Sequence, residues 1–223
     1  HSYHLPMGTD AVIAEEVSRL LAERIDGVYF PTLSLALDQF RTTDQLKHWG
    51  LPHDAKVFGM NFPALPLVSE YTERDDLIRV LSNRLAAIRG SGFRHTFVIN
   101  IHADPGQMQT LREFCEQANG PDHGVHFIYP LSFKTIRNPD LLWIGGHAGL
   151  YETMVVLAFR PELVDLDELP EGELSVAEYG IHHGTPMIEP RYNPRRAVQS
   201  VADDLRKDIL DHVESFVREK AGL

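Results

Sequence analysis

Cysteine is almost missing from this chain: Cys115 is the only one in 223 residues. An internal disulfide framework is thereby excluded, and a reducing compartment is indicated, most simply the cytoplasm. Long apolar runs are missing too; none approaches the roughly 18 residues that a membrane-spanning helix needs. No secretory leader is visible. Basic residues are in deficit, with 21 Lys and Arg against 32 Asp and Glu and a formal charge of −11. That balance argues against nucleic acid or an anionic membrane as partner. There is no internal repeat and no linker, and the 16 Gly and 14 Pro fall without period. What is present is ordinary globular composition, 43% apolar and 24% charged. It suits one acidic domain over residues 1–223, large enough to bury a core.

Periodicity supplies the elements. Asp10 to Ile25 places Val12, Ile13, Val17, Leu20 and Leu21 on one helical face, with Asp10 able to cap the start. Val28 to Phe30, stopped by Pro31, reads as a short buried strand. From Asp38 to Pro66 the pattern is irregular, long enough to suggest the lining of a site or an interface. Asp75 to Ile88 predicts a second helix and Gln107 to Ala118 a third. Between them Thr96 to Asn100 is the near-continuous apolar run of a strand buried in a parallel sheet, and Val125 to Tyr129 a further strand. Gly146 to Phe159 and Ala197 to Glu219 read as helices, and Pro170 to Tyr192 as loop. Strands alternating with helices indicate an α/β fold, a mainly parallel sheet with helices on both faces.

Twelve histidines invite metal or proton chemistry without guaranteeing it. Three clusters matter. The first runs from His1 through His4 to Asp10, into a helix; imidazole and carboxylate suit Zn²⁺, Mn²⁺ or Fe²⁺, while the plain alternative makes Asp10 a helix cap. The second is Asn100, His102 and Asp104, following the best strand, where open parallel sheets bind ligands. Its alternative is a strand-ending turn with a hydrogen-bonded histidine. The third runs from Trp143 through Gly146 and His147 to Glu152 and Thr153. Glu152 opens an otherwise apolar helix face, where a carboxylate is costly unless a cation or hydrogen bonds hold it. A surface carboxylate is the other reading.

In order, these clusters resemble the motifs of the creatininase (creatinine amidohydrolase) family. That family's first motif is Glu-x-His-Gly-x-His-Leu-Pro-x-x-x-Asp, matched in register by His1, His4, Leu5, Pro6 and Asp10. Asn100 and His102 match a strand followed by Asn-Gly-His, and His147, Ala148, Gly149, Glu152 and Thr153 reproduce the third motif intact. Asn61-Phe62-Pro63 and the stretch from Pro161 to Asp165 are fainter echoes. The resemblance implies a three-layer α/β/α domain with two divalent metals, Zn or Mn with Fe as a further option, often in a hexamer. It assigns metal contacts to His1, Asp10, His102, Asp104 and Glu152, with Asp10 bridging. His147, Trp143 and Ala103 fall on the substrate side, His147 as a proton shuttle and Glu152 as a further acidic group of the catalytic centre. The activity implied is hydrolysis of a C–N bond in a small cyclic amide by metal-activated water.

Departures refine this expectation. The family's first Glu would precede His1, so a strand ending in that Glu is expected ahead of this sequence. Ser2 and Ile101 replace motif glycines, Ala103-Asp104-Pro105 replaces Gly-Gly-Asn, and Gly184-Thr185-Pro186 stands for Gly-Asp-Pro. These changes gather on the substrate side and argue against creatinine itself. Two alternatives stay open: the same site hydrolysing a cyclic ketone or lactone, and a non-catalytic relative serving as an assembly subunit. His182 and His183 read as solvated or interfacial, and His123 and His126 as structural. Cys115, flanked by Glu113 and Glu116, is no nucleophile. Trp49 either walls a pocket or packs on a neighbouring subunit, and Arg195 and Arg196 fall in the first turn of the last helix.

Overall fold

The computed structural model describes residues 2–65, 69–132, 146–182 and 187–223. Backbone contacts divide the chain into two compact units. One takes its residues from His1–Thr9, Gln39–Ser69 and Ile136–Asp208, the other from Asp10–Asp38, Glu70–Thr135 and Ile209–Leu223.

The second unit holds a βαβ element. Strand β1 (His95–Ile99) leads through helix α4 (Pro105–Ala118) to β2 (Gly124–Ile128), and the strands pair in parallel with Val98 opposite Phe127. Alternation sends Val98, Val125 and Phe127 to one face, where helices α3 (Arg74–Gly90) and α4 cover them. Leu85, Cys115 and Val125 form one buried cluster there, and Leu37, Leu77 and Leu111 a second. The opposite face carries His95, Phe97 and His126, stacked on one another, with Phe216 edge-on to Phe97. Phe216 belongs to helix α7 (Gln199–Ala221), so helices flank both faces of this parallel pair. Helix α1 (Thr9–Ile25) ends beside α7, where Arg24 reaches Asp211 and Glu214.

Among its described residues the first unit is organised by short helices. Helix α2 (Thr43–His48) begins at a reciprocal cap: the Thr42 hydroxyl accepts from Gln45 N–H, and the Gln45 side chain accepts from Thr42 N–H. Trp49, Phe62 and Val176 form the buried cluster that follows. Helix α5 (Leu150–Phe159) is buried along most of its length, and α6 (Val176–Tyr179) is a single turn capped by Ser175 and ended by Gly180 at φ 66°. A side chain at 180 would collide with Leu65, so glycine is required there twice over.

Several expectations need correction. Val28 to Phe30 forms no strand; Val28 is 63% exposed, and Phe30 lies edge-on to Phe93 under the Arg84 guanidinium. Three residues of strand propensity hold no strand without a partner's N–H and C=O groups. The irregular stretch from Asp38 contains α2, and the loop from Pro170 contains α6. Arg195 and Arg196 precede α7 in a separate 3₁₀ turn (Pro194–Arg196), where Arg195 donates to the carbonyls of Pro170 and Gly172. Trp49 is buried within its own chain rather than waiting for a neighbour. Among the described residues, no helix is long and apolar enough to cross a membrane.

Candidate functional site

Beyond the carboxyl end of β1 the chain leaves the sheet at Asn100 and turns through His102 to Asp104, which starts α4. Asp104 is buried, and its Oδ1 accepts the Gln107 N–H at 2.8 Å, satisfying one of the helix's first donors. Ala103 lies exposed between them. His102 Nδ1 lies 3.0 Å from Asp10 Oδ2, while Nε2–H donates to the Leu37 carbonyl at 3.0 Å. Asp10 is the second residue of α1, and its carboxylate is turned to the imidazole rather than to the helix start. A second carboxylate lies close behind: Asp38 Oδ2 is 4.0 Å from His102 Nε2, with its side chain almost wholly buried.

Burial by itself would lower the pKa of His102. The hydrogen bond and charge of Asp10, the Leu37 carbonyl and the charge of Asp38 outweigh it and raise the value to about 9. Both ring nitrogens thus face oxygen, which favours a cation at this point. The same geometry suits a metal ion. Two ligands bound at about 2.0–2.2 Å and roughly 90–110° to one another lie about 2.8–3.6 Å apart, a range that includes the 3.0 Å between Asp10 and His102. Nε2–H on a backbone carbonyl is the outer contact that a ligating histidine ordinarily makes. Among the described residues, no group of three or more His, Cys, Asp or Glu is gathered to hold a metal. Asp10 and His102 are thus two donors side by side, and His1 lies outside the described residues.

The third motif belongs to the first unit. Gly146, at φ 127°, and Ala148, at φ 55°, turn the backbone on either side of His147. The turn is held by a reciprocal pair of hydrogen bonds: His147 N–H donates to the His182 carbonyl at 3.0 Å, and His182 N–H returns one at 2.7 Å. His182 also meets Trp49 edge-on at 4.9 Å between ring centroids. It is thus half-buried and held by its own chain rather than fully solvated. Glu152 accepts the Ala148 N–H at 2.5 Å, which accounts for a carboxylate at the start of an apolar helix.

Thr153 is fully buried, and its hydroxyl donates to the Gly149 carbonyl. With its proton so used, Thr153 Oγ1 accepts from His4 Nε2–H at 2.8 Å. The His4 carbonyl in turn accepts the Asp165 N–H. His4, Thr153 and Asp165 thus tie the first motif to the third and to the stretch that follows it. Trp143, His183 and residues 184–186 lie outside the described residues. His123 is structural: its Nδ1–H donates to the Phe93 carbonyl and its Nε2 accepts from Thr96. The Cys115 thiol is buried, and burial, with a smaller contribution from Glu116, pushes it up to about 12.

Two residues were invisible to motif reading, Asp38 and Gln107. Gln107 is buried; its Oε1 accepts the Leu37 N–H at 2.7 Å and its Nε2–H donates to Asn100 Oδ1 at 2.8 Å. An amide among Thr110, Leu111 and Cys115 on the buried side of α4 was the one local signal.

A flanked parallel pair with an acid–imidazole site beyond a strand's carboxyl end defines an α/β protein of the open-sheet class. The creatininase (creatinine amidohydrolase) family matches residues 68–203, and the chain belongs to that family. A creatinine amidohydrolase from Pseudomonas putida is 26% identical, over 76% of this chain; the match spans 64% of that protein's length. A Bacteroides fragilis structure assigned as a creatinine amidohydrolase shares the fold with a TM-score of 0.62 at 18% identity, covering 98% of this chain and 84% of the other. A glutamate-to-glutamine mutant creatininase of Zn-Zn type gives 0.65 at 20% identity, covering 99% and 86%. The same mutant complexed with creatine gives 0.64. The family and the three-layer α/β/α fold expected from the motifs are both borne out.

Proposed function

We propose that residues 1–223 act as one metal-dependent hydrolase domain that opens a C–N bond in a small cyclic amide. The observation that carries this is the Asp10–His102 pair, spaced as two ligands of one ion and backed by the Leu37 carbonyl. The relatives support it, one being a creatinine amidohydrolase and another a Zn-Zn creatininase. Asp10 and His102 would hold a divalent ion, which would supply Lewis acidity and lower the pKa of a bound water toward about 7. Zn and Mn are the candidates, with Fe a third, two ions per chain. His1, Asp104 and Glu152 are proposed as further ligands by their place in the motifs.

The chain's own residues do the rest. Asp10 holds His102 in place and takes negative charge to the site. Glu152 fixes the Ala148 amide and so the turn that carries His147. His147, its backbone pinned to His182, hands a proton to the leaving nitrogen. Trp143 and Ala103 contact the substrate. Resemblance also supports a homo-oligomer, a hexamer, and the single buried cysteine agrees with a cytoplasmic setting.

The test is to strip the protein with chelator, restore Zn²⁺ or Mn²⁺, and follow ring opening across a panel of cyclic amides, lactones and cyclic ketones. Activity should return with metal and favour the amides. Turnover by the stripped protein, unchanged by added metal, would remove the proposal. Preference for a lactone or ketone would keep the site and change the bond.

A further inference from the structure

Four residues close a ring of hydrogen bonds around His102. Leu37 N–H donates to Gln107 Oε1 at 2.7 Å, and Gln107 Nε2–H donates to Asn100 Oδ1 at 2.8 Å. Asn100 Nδ2–H donates to the His102 carbonyl at 2.6 Å, and His102 Nε2–H donates to the Leu37 carbonyl at 3.0 Å. Every donor in the circuit has an acceptor, and every link fixes the sense of the next. Asn100 and Gln107 are both buried, so water is poorly placed to substitute for any member.

Gln107 stands at a place where its side chain would normally do something else. It is the third residue of α4 after the cap Asp104, the position whose Glu or Gln ordinarily reaches back to the cap residue's N–H. Asp104 does accept the Gln107 N–H, but the Gln107 side chain reaches away to Leu37 and Asn100. It thereby joins the chain entering Asp38 to the strand end carrying His102, segments 70 residues apart along the sequence.

Building on the proposed metal reading, we infer that Gln107 is a positioning residue for the metal site. It anchors Leu37 so that the Leu37 carbonyl captures His102 Nε2–H, which fixes the tautomer and leaves Nδ1 to a cation beside Asp10. Gln107 touches neither ligand side chain; it acts through Leu37 and Asn100. Removing such outer contacts costs about 10–100-fold in metal affinity.

The experiment is Zn²⁺ affinity of the full chain, by competition with a chromophoric chelator, together with the ¹⁵N imidazole spectrum of the Zn²⁺-loaded protein. The variants are Gln107→Met, Gln107→Glu and His102→Ala. His102→Ala identifies the site by losing it. Gln107→Met should bind Zn²⁺ about 10–100-fold more weakly, and the His102 Nε2–H signal should exchange faster with water. Gln107→Glu keeps the acceptor for Leu37 N–H but loses the donor to Asn100, so its loss should be smaller.

A folded Gln107→Met protein with wild-type affinity and an unchanged His102 signal overturns the inference. Should Gln107→Met fail to fold, wild-type affinity in Gln107→Glu does the same. A wild-type chain whose Zn²⁺ binding is unaffected by His102→Ala would instead sink the metal reading, and the inference with it. The two failures are told apart by His102→Ala.

Discussion

The two units hold their key histidines by different means. Around His102 the work is done by side chains: Gln107 and Asn100 join the backbone of Leu37 into a ring, and Asp10 faces the imidazole. Around His147 the work is done mainly by backbone, through its bridge to His182 and two residues at positive φ. The first arrangement gives each nitrogen of a ring its own oxygen partner. The second fixes where a short turn runs and leaves its ring to be aimed by what surrounds it. A metal ligand, as proposed for His102, needs the former, because the ring must be held with one nitrogen turned to the ion. A proton donor, as proposed for His147, needs placement above all.

This difference can be tested from its largest consequence downwards. His102→Ala should abolish metal-dependent turnover while the circular dichroism spectrum stays as in the wild type, because the residue sits at the end of β1 and not inside it. Undiminished turnover would show that the side-chain arrangement serves structure alone.

Ala148→Val strikes the backbone-held turn. A β-branched residue at φ 55°, in a fully buried place, should cost about 2–4 kcal/mol in chemical denaturation, from strain and overpacking together. A cost below a few tenths would mean that the turn readily adopts another path. Thr153→Val comes next. It keeps shape but removes the oxygen that accepts from buried His4, and about 1–3 kcal/mol should be lost. An equally stable variant would show that His4 finds another acceptor.

The smallest effect belongs to Cys115, in the cluster with Leu85 and Val125. Burial, with a smaller push from Glu116, raises its thiol from the ordinary 9.0 to about 12. Below pH 9 both folded and unfolded chains keep the proton, and the full contribution to stability is present. Above it the unfolded thiol ionises first, so stability falls as pH climbs toward 12. Accordingly, iodoacetamide at pH 8 should label Cys115 only after unfolding. Prompt labelling of the native chain would contradict the packing of α4 on β2.

Much of this was legible in the sequence because it is local. The period of apolar residues marked α1, α3, α4 and α7 to within a few residues, and the run ending at Asn100 marked β1. Motif order brought out the family from His4, Asp10, Asn100, His102, His147 and Glu152. Val28 to Phe30 misled because strand propensity says nothing about whether a partner strand exists. The contact of Trp49 with His182 was not legible, because residues far apart in sequence meet only when the chain folds.

The sequence by itself determined the helices, the parallel pair, the acidic character and the family, since each follows from spacing and composition along the chain. Only the tertiary structure decided that Gln107 reaches Leu37, that Asp38 lies behind His102, and that Thr153 is the acceptor for His4. Those are contacts between residues far apart in the chain. A polar side chain satisfies its hydrogen bonds with whatever the fold brings within about 3 Å, and no local pattern records that distance.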